Sequence, residues 1–255
     1  MAWAVFSTFL SASAFVFSTF LSASAFNPRA ARSTALMSLS PSSTDIRIRL
    51  VEPTDLTQLA ELTTSALFGD ADLFKDGPLV MAQRQQQLQK NRKALERRLA
   101  YEGTDSECRF FVAVEQTPFG DRICGSTDLA VRVFNASELR FDLALSDVPE
   151  GDGACRWSPY VASVAVNAAD RRCGIGGRLI QAAEGWATAA GYEEIMLQVS
   201  VLNEAAISMY EQAGYSILSS FAPGEGGGGA EHVVRKGGRW ETQQTGKHVM
   251  RKGLG

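Results

Sequence analysis

The stretch Arg171-Arg172-Cys173-Gly174-Ile175-Gly176-Gly177-Arg178 separates an apolar, strand-like segment from a helix-like one. The strand-like segment, YVASVAV, covers residues 160–166, and the helix-like segment covers residues 175–190. Backbone N–H groups at a helix N-terminus attract anions, and the helix dipole adds partial positive charge there. Glycines let a ligand approach the backbone closely, and arginines supply planar donors suited to phosphate. The stretch therefore predicts a phosphate-binding turn at the start of a helix.

Three kinds of phosphate loop can be compared with this turn. A dinucleotide-binding loop needs G-x-G-x-x-G, but its third glycine position is occupied here by Leu179. A P-loop needs Lys-Ser or Lys-Thr after the glycines, and neither follows. The pattern (Q/R)-x-x-G-x-(G/A) is matched by Arg171, Gly174 and Gly176. In this pattern the chain resembles the pyrophosphate loop of the GNAT superfamily of N-acetyltransferases. The alternative interpretation is an ordinary glycine turn with solvated arginines.

A second motif follows about 25 residues later. Residues 197–201 alternate as a strand does, and residues 203–215 read NEAAISMYEQAGY. GNAT enzymes carry N-x-x-A-x-x-x-Y-x-x-x-G-(F/Y) after a strand, and the matching positions are Asn203, Ala206, Tyr210, Gly214 and Tyr215. Asn203 is also typical of a helix N-cap, and Gly214 is typical of a helix end. An aromatic side chain of the core is the alternative interpretation of Tyr210.

The resemblance covers residues 159–220 firmly and implies a fold and a cofactor. The expected fold is the GNAT fold of the α/β (α+β) class, a mixed, mostly antiparallel central sheet flanked by helices, with splayed central strands. The expected cofactor is acetyl-CoA, as the acetyl donor, with no metal. The residues expected to bind it are Val164, Ala165, Val166, Arg171, Arg172, Cys173, Gly174, Ile175, Gly176, Gly177, Asn203 and Tyr210.

The resemblance also implies a mechanism in which an amine attacks the thioester directly. The backbone of residues 164–166 would pair with the pantetheine arm, and an N–H there would serve the oxyanion. Tyr210 is expected to be the catalytic general acid that protonates the CoA thiolate. The segment 160–166 contains no carboxylate. A water chain that uses backbone carbonyls, or a carboxylate from elsewhere, must therefore act as the general base, and Glu115 and Asp128 are candidates by chain region only.

The segment 160–215 looks most like plastid-type GNAT proteins, which acetylate protein N-termini and lysine side chains. It therefore implies a protein or peptide amine as the substrate. A small-molecule amine acetyltransferase and a non-catalytic acyl-CoA-binding module are the alternatives. The acidic insert at residues 135–158 precedes the central strand. If it overhangs the substrate groove, its negative charge would attract cationic amines. The alternative interpretation is a solvated loop.

The N-terminus has the composition of a targeting sequence. Residues 5–15, VFSTFLSASAF, are repeated at 16–26, and no charged residue precedes Arg29. We interpret residues 1–25 as a signal-peptide-like segment, 26–44 as a transit-peptide-like segment and 45–255 as the acetyltransferase domain. The sequence ASAF at 23–26 resembles the cleavage junction of bipartite presequences in algae with complex plastids. The expected location is the plastid (chloroplast) stroma, with a cytoplasmic or N-terminally membrane-anchored protein as the alternative.

The net charge and the cysteine and histidine content argue against two classes of protein, nucleic-acid-binding proteins and zinc proteins. The chain has 25 basic and 28 acidic residues, and removal of residues 1–44 takes away two arginines only, which leaves a net charge of −5. This acidity argues against nucleic-acid binding. Four cysteines without a C-x-x-C motif and two histidines predict no zinc site. No membrane contact is expected for the mature chain, and the sequence leaves the oligomeric state open.

Periodicity predicts the elements of the body. Strands are expected at 46–51, 109–114, 123–134, 160–166, 197–201, 215–221 and 247–252, and helices at 53–62, 79–101, 175–190 and 203–213.

Overall fold

The computed structural model describes residues 46–68, 77–101, 108–141, 153–225, 230–236 and 239–255. The predicted signal-peptide-like and transit-peptide-like segments lie outside the described residues, as does the middle of the acidic insert at 142–152. Within the described ranges, every helix is too short or too polar to cross a bilayer.

Ten strands and four α-helices make up the described structure. In chain order they are β1 (Ile46–Leu50), α1 (Leu56–Phe68), α2 (Pro78–Tyr101), β2 (Cys108–Thr117), β3 (Gly120–Asn135), β4 (Arg140–Phe141), β5 (Cys155–Val166), α3 (Ile175–Ala189), β6 (Glu194–Ser200), α4 (Glu204–Gln212), β7 (Ser216–Phe221), β8 (Ala230–Lys236), β9 (Arg239–Thr245) and β10 (Lys247–Gly253). Short 3₁₀ turns at Pro53–Asp55 and Ala168–Asp170 precede α1 and α3.

The main sheet has the strand order β1-β2-β3-β5-β6-β10-β7, with β4 attached to β3. Neighbouring strands are antiparallel except for β5 and β6, which are parallel. The hairpin of β8 and β9 forms a separate two-stranded sheet. This arrangement confirms the predicted mixed, mostly antiparallel sheet flanked by helices.

Helices cover both faces of the sheet because its strands alternate between two apolar cores. On β2, Phe111 and Ala113 belong to the core under α3 and α4. Phe110 and Val112, which point the other way, belong to the core under α1 and α2. We call these the α3/α4 face and the α1/α2 face.

The central strands β5 and β6 part after two residue pairs. Tyr160 is opposite Met196 and Val161 is opposite Leu197, and the parallel ladder ends there. Beyond this point β5 stays paired with β3, whereas β6 is paired with β10 along its whole length. The register between β3 and β5 shifts next to Ser163, whose φ of 53° is in the left-handed region. Such a bulge bends its strand, and the predicted splay of the central strands is confirmed.

Several boundaries differ from the sequence-based predictions because long-range pairing decides them. Strand β5 begins at Cys155, not Tyr160, since the ends of the acidic insert extend the ladder with β3 as far as Asn135. Strand β4 and the β8–β9 hairpin were not predicted. The ends of α3 and α4 agree with the predictions, and Gly191 and Gly214 follow them with φ of 86° and 92°.

We expect Gly246→Ala to destabilise the fold. A Cβ at position 246 would lie 2.8 Å from the backbone carbonyl oxygen of Phe221, which cannot move as a side chain end can. We expect a loss of about 1–3 kcal/mol in the free energy of unfolding, measured by urea denaturation. The control is Gly185→Ala, where nothing lies within 4 Å and the helix should gain about 1 kcal/mol. Equal stability of Gly246→Ala and the unaltered chain would contradict the close packing.

Candidate active site

The predicted phosphate-binding turn lies at the end of β5, on the open side of the parted strands. Gly174 is the N-cap of α3, with φ of 74°, and no side chain caps the helix. The N–H of Arg178 donates to the carbonyl of Gly174 at 3.1 Å. The N–H groups of residues 175–177 precede this bond and have no acceptor within the helix. The turn is therefore built to receive an anion on its backbone.

Different structural constraints favour glycine at the three glycine positions of the turn. A Cβ on Gly176 would lie 2.7 Å from the sulfur of Met209, so this glycine allows α3 to pack against α4. A Cβ on Gly174 or Gly177 would meet nothing within 4 Å. Gly174 is required for its positive φ. Gly177 leaves open space in front of the helix N-terminus, where a ligand would approach.

The arginines of the turn are not equivalent. Arg171 is half-buried, and its Nε donates to the carbonyl of Val166 at 3.3 Å. Arg172 is exposed, and its φ of 64° turns the backbone toward Gly174. The guanidinium of Arg178 donates to the carbonyl of Ile46 at the start of β1. Cys173 is exposed and carries a free thiol. Arg171 and Arg178 thus bind backbone carbonyls of the protein, whereas Arg172 is exposed and makes no side-chain hydrogen bond or ion pair with the described residues.

A charged network holds the 3₁₀ turn before this loop. The guanidinium of Arg122 donates to both oxygens of Asp170, at 2.7 and 2.9 Å, and its Nε donates to Glu115 at 2.6 Å. These acids raise the pKa of Arg122, mainly through the hydrogen bonds that Asp170 accepts from it. Asp128 is six positions after Arg122 on β3, about 20 Å along an extended strand. Glu115 is thus held by Arg122 on β2, two strands from β5, and is not brought to the point where β5 and β6 part.

Asn203 begins α4 as predicted. Its side-chain oxygen accepts a hydrogen bond from the N–H of Ala206 at 3.2 Å, and its own N–H donates to the carbonyl of Ser200 at 2.9 Å. The residue is 5% exposed. These contacts fix the start of α4 at the end of β6, beside the gap between the strands.

Tyr210 lies on the α3/α4 face, beneath the gap. It has no exposed surface, and its ring packs edge-on against Tyr215 with 5.9 Å between the ring centroids. It belongs to the same apolar cluster as Val164 and Val166 of β5 and Val199 of β6. Because these three valines lie on the parted ends of the strands, a group inserted between β5 and β6 would come close to Tyr210.

Asp128 lies on the α1/α2 face, next to the point where the strands part. It is opposite Ala162 of β5 and is only 5% exposed. One carboxylate oxygen accepts a hydrogen bond from Arg98 of α2, and the other has no partner among the described residues. A cavity of about 30 Å³ touches Asp128, Ser163 and Arg98. Of the two base candidates, Asp128 is the one brought to the gap.

Gln198 and Tyr160 complete this region and were not predicted from sequence. Gln198 is 3% exposed, and neither atom of its amide group has a partner among the described residues. Tyr160 is buried, and its ring centroid is 4.6 Å from that of Phe141. Burial raises the pKa of Tyr160, and the negative charge of Asp128 adds to the effect, so its hydroxyl stays protonated. The sequence signal that could have revealed Gln198 is its position as a polar residue within the apolar strand β6.

Potential metal ligands do not gather in the described part of the chain, where no group of three or more histidine, cysteine or acidic side chains has the geometry to hold an ion.

Comparison with protein families identifies the class. Residues 80–215 match the model of the acetyltransferase (GNAT) family, which is more than half of the chain. The chain therefore belongs to the GNAT family of acetyltransferases. A comparison with curated protein sequences gave no match.

Solved structures agree with the fold at low sequence identity. A GNAT-family protein from Desulfovibrio desulfuricans has a TM-score of 0.51 and 14% identity, with 82% of this chain and 99% of that chain covered. A GNAT-family acetyltransferase from Streptococcus pneumoniae has a TM-score of 0.50 and 19% identity, with 82% and 99% covered. Arabidopsis thaliana NAA60 in complex with acetyl-CoA has a TM-score of 0.50 and 14% identity, with 82% and 98% covered. This chain is thus similar to these proteins in fold.

Proposed function

We propose that this protein is an acetyl-CoA-dependent N-acetyltransferase that transfers the acetyl group to protein N-terminal or lysine amines. The observation that carries the proposal is the gap between β5 and β6, with an uncapped helix N-terminus at its open end. A long thin arm that ends at a diphosphate fits these two features together. The pantetheine arm of acetyl-CoA has this form, with the thioester at one end and the diphosphate at the other.

The proposed cofactor site uses backbone more than side chains. The N–H groups of residues 175–177 would bind the pyrophosphate, with Arg171 and Arg172 adding positive charge. The pantetheine arm would lie along residues 164–166, whose side toward β6 is unpaired. Asn203, at the start of α4, would contact the arm near the splay. Support for this ligand comes from Arabidopsis NAA60, whose structures contain acetyl-CoA or a bisubstrate analogue.

The proposed reaction is direct transfer without an acyl-enzyme. The amine nitrogen forms a bond to the thioester carbonyl carbon, and a backbone N–H near the bulge in β5 stabilises the oxyanion. The C–S bond then breaks, and the CoA thiolate takes a proton from the hydroxyl of Tyr210. The attacking ammonium must lose one proton before its nitrogen can attack and a second as the amide forms, so a group that accepts the first proton is also required.

We expect Gly177→Ala to weaken acetyl-CoA binding. The added methyl group would occupy the open space in front of the helix N-terminus, where the phosphate oxygens approach the backbone. We expect the Kd from isothermal titration calorimetry to rise about tenfold, or about 1.4 kcal/mol. Gly185→Ala, at an open position further along the same helix, is the matched control and should bind as the unaltered chain does. An unchanged Kd in Gly177→Ala would argue against a pyrophosphate at this turn.

We expect Tyr210→Phe to lower turnover more than cofactor affinity. The ring, which packs against Tyr215, is kept, but the proton for the leaving thiolate is lost. The kcat should fall by about 10²-fold or more while the Kd of acetyl-CoA changes little, because a general acid contributes about this much. Tyr215→Phe is the control, since it removes the hydroxyl of the neighbouring tyrosine. The proposed role fails if Tyr210→Phe turns over at the normal rate.

The substrate class is tested by measuring CoA release from acetyl-CoA with three kinds of acceptor. These are peptides with a free α-amine and blocked lysines, peptides with a blocked N-terminus and one free lysine, and spermidine. Release with either peptide supports the proposal, and release with spermidine alone indicates a small-molecule acetyltransferase. Tight acetyl-CoA binding with no release from any acceptor indicates an acyl-CoA-binding module. Mass spectrometry of proteins co-expressed with the chain gives the ratio of acetylated α-amines to acetylated lysines.

We further propose that residues 1–44 are a bipartite presequence and that the enzyme works in the plastid stroma. The support is the composition of this stretch and the ASAF junction at 23–26. N-terminal sequencing of the protein from its native source tests the proposal. A mature chain that begins at Met1 would contradict it.

A further inference from the structure

Three polar side chains surround Ala162 on the α1/α2 face with unused hydrogen-bonding capacity. They are Asp128 on β3, Ser163 on β5 and Gln198 on β6. One oxygen of Asp128, the hydroxyl of Ser163 and both amide atoms of Gln198 have no partner among the described residues. An unsatisfied buried polar group costs about 1–3 kcal/mol. Three such groups around one residue indicate that a polar ligand completes them.

The register places Asp128 and Gln198 in one row across the sheet, on either side of Ala162. Asp128 is opposite Ala162 in the ladder of β3 and β5. The last pair of β5 and β6 is Val161 with Leu197, so Ala162 and Gln198 are the first residues beyond it. Val249, the partner of Gln198 on β10, packs with Tyr160 and Met196 in a third apolar cluster. Tyr160 is two residues before Ala162 on β5 and Met196 is two residues before Gln198 on β6, so Gln198 is on the same side of the sheet as Ala162 and Asp128. The methyl group of Ala162 therefore leaves space between Asp128 and Gln198.

A cavity adjoins this space beside Asp128 and Ser163. Its volume is about 30 Å³, and Leu59 of α1, Leu95 of α2 and Phe110 of β2 form its apolar walls. This volume holds one small polar group, since a water molecule needs about 10–15 Å³ by the same measure. An amine nitrogen with its first carbon has a suitable size.

Charged and titratable groups face Asp128 from every neighbouring element. Arg98 on α2 binds one of its oxygens. Cys108 on β2 and Tyr160 on β5 have raised pKa values, mainly through burial and partly through the charge of Asp128, and the charge of Arg132 on β3 acts on both. The positive charges of Arg98 and Arg132 disfavour a further cation, so an ammonium group that enters this space is made more acidic.

We propose that the amine nitrogen of the substrate binds between Asp128 and Gln198 and that Asp128 accepts its proton. This inference rests on the proposed function and adds the group that the reaction still requires. The carboxylate oxygen of Asp128 that has no partner would accept a hydrogen bond from the ammonium group, and the side-chain oxygen of Gln198 and the hydroxyl of Ser163 would accept the other two.

The proton balance closes with these groups. Asp128 takes one proton from the ammonium group, and the neutral amine attacks the thioester at the point where β5 and β6 part. The tetrahedral adduct gives its second N–H proton to solvent as the C–S bond breaks, and the thiolate takes a proton from Tyr210 on the opposite face. The tyrosinate left behind regains a proton from solvent, so one proton is released overall for each amide formed. Asp128 releases its proton to solvent past Arg98, whose side chain is 39% exposed. The products are the amide and free CoA.

Asp128→Asn tests the proposal through its pH dependence. The variant keeps the shape of the side chain but cannot take a proton, so the reaction depends on amine that is already neutral in solution. At pH 7 we expect kcat/KM for the best amine acceptor to fall by about 10²-fold or more. Between pH 7 and the pKa of that amine, kcat/KM of the variant should rise about tenfold per pH unit, whereas that of the unaltered chain stays nearly level. The Kd of acetyl-CoA should not change.

The matched control is Asp121→Asn, which removes a carboxylate from the same strand. Asp121 is at the start of β3, where it accepts a hydrogen bond from Arg47 at 3.1 Å. Its variant should keep the activity and the pH profile of the unaltered chain. Equal loss of kcat/KM at every pH in Asp128→Asn, or no loss, would overturn the role of Asp128. If the unaltered chain acetylates no amine at all, the proposed function itself fails.

A second variant covers the case in which Asp128→Asn does not fold because Arg98 loses its charged partner. Ala162→Val fills the space between Asp128 and Gln198 with a residue that favours strands. We expect KM for the amine to rise at least tenfold while the Kd of acetyl-CoA is kept, with folding checked by thermal unfolding. Unchanged KM for the amine would contradict an amine site in this row.

Discussion

Each of the two central strands is held by a different neighbour, and the gap depends on this arrangement. Strand β5 follows β3 through a long antiparallel ladder, and β6 is paired with β10 along its whole length. The extra residue at Ser163 bends β5 just after its second pair with β6. No side chain has to hold the strands apart, because the backbone pairing on either side does so. The turn at Gly174 and the polar row at Ala162 both take their positions from this divergence.

The gap is lined differently on the two faces of the sheet. On the α3/α4 face its lining is almost wholly apolar, and Tyr210 is buried there among valines of both strands. On the α1/α2 face Asp128 and Gln198 bring polar groups to the same level of the sheet. In the proposed mechanism this difference separates the two proton transfers. A proton is removed from the amine on one face and given to the thiolate on the other.

Local motifs could be predicted from the sequence, whereas features made by pairing could not. The turn at 171–178 and the cap at Asn203 each depend on a few adjacent residues, and the structure has both helix starts as expected. The start of β5 at Cys155 depends on its pairing with β3, and the β8–β9 hairpin forms between segments without clear alternation. The position of Asp128 relative to the gap depends on a register shift that no local pattern reveals.

The opposite faces of the sheet also bear on the order in which ligands can come and go. The helix start at Gly174 belongs to the α3/α4 side, whereas the cavity beside Asp128 lies under α1 and α2. An acceptor that binds on one side of the sheet and a coenzyme that binds on the other would not compete for the same entrance. In the proposed mechanism both can therefore occupy the protein together, and such a layout suits sequential kinetics through a ternary complex.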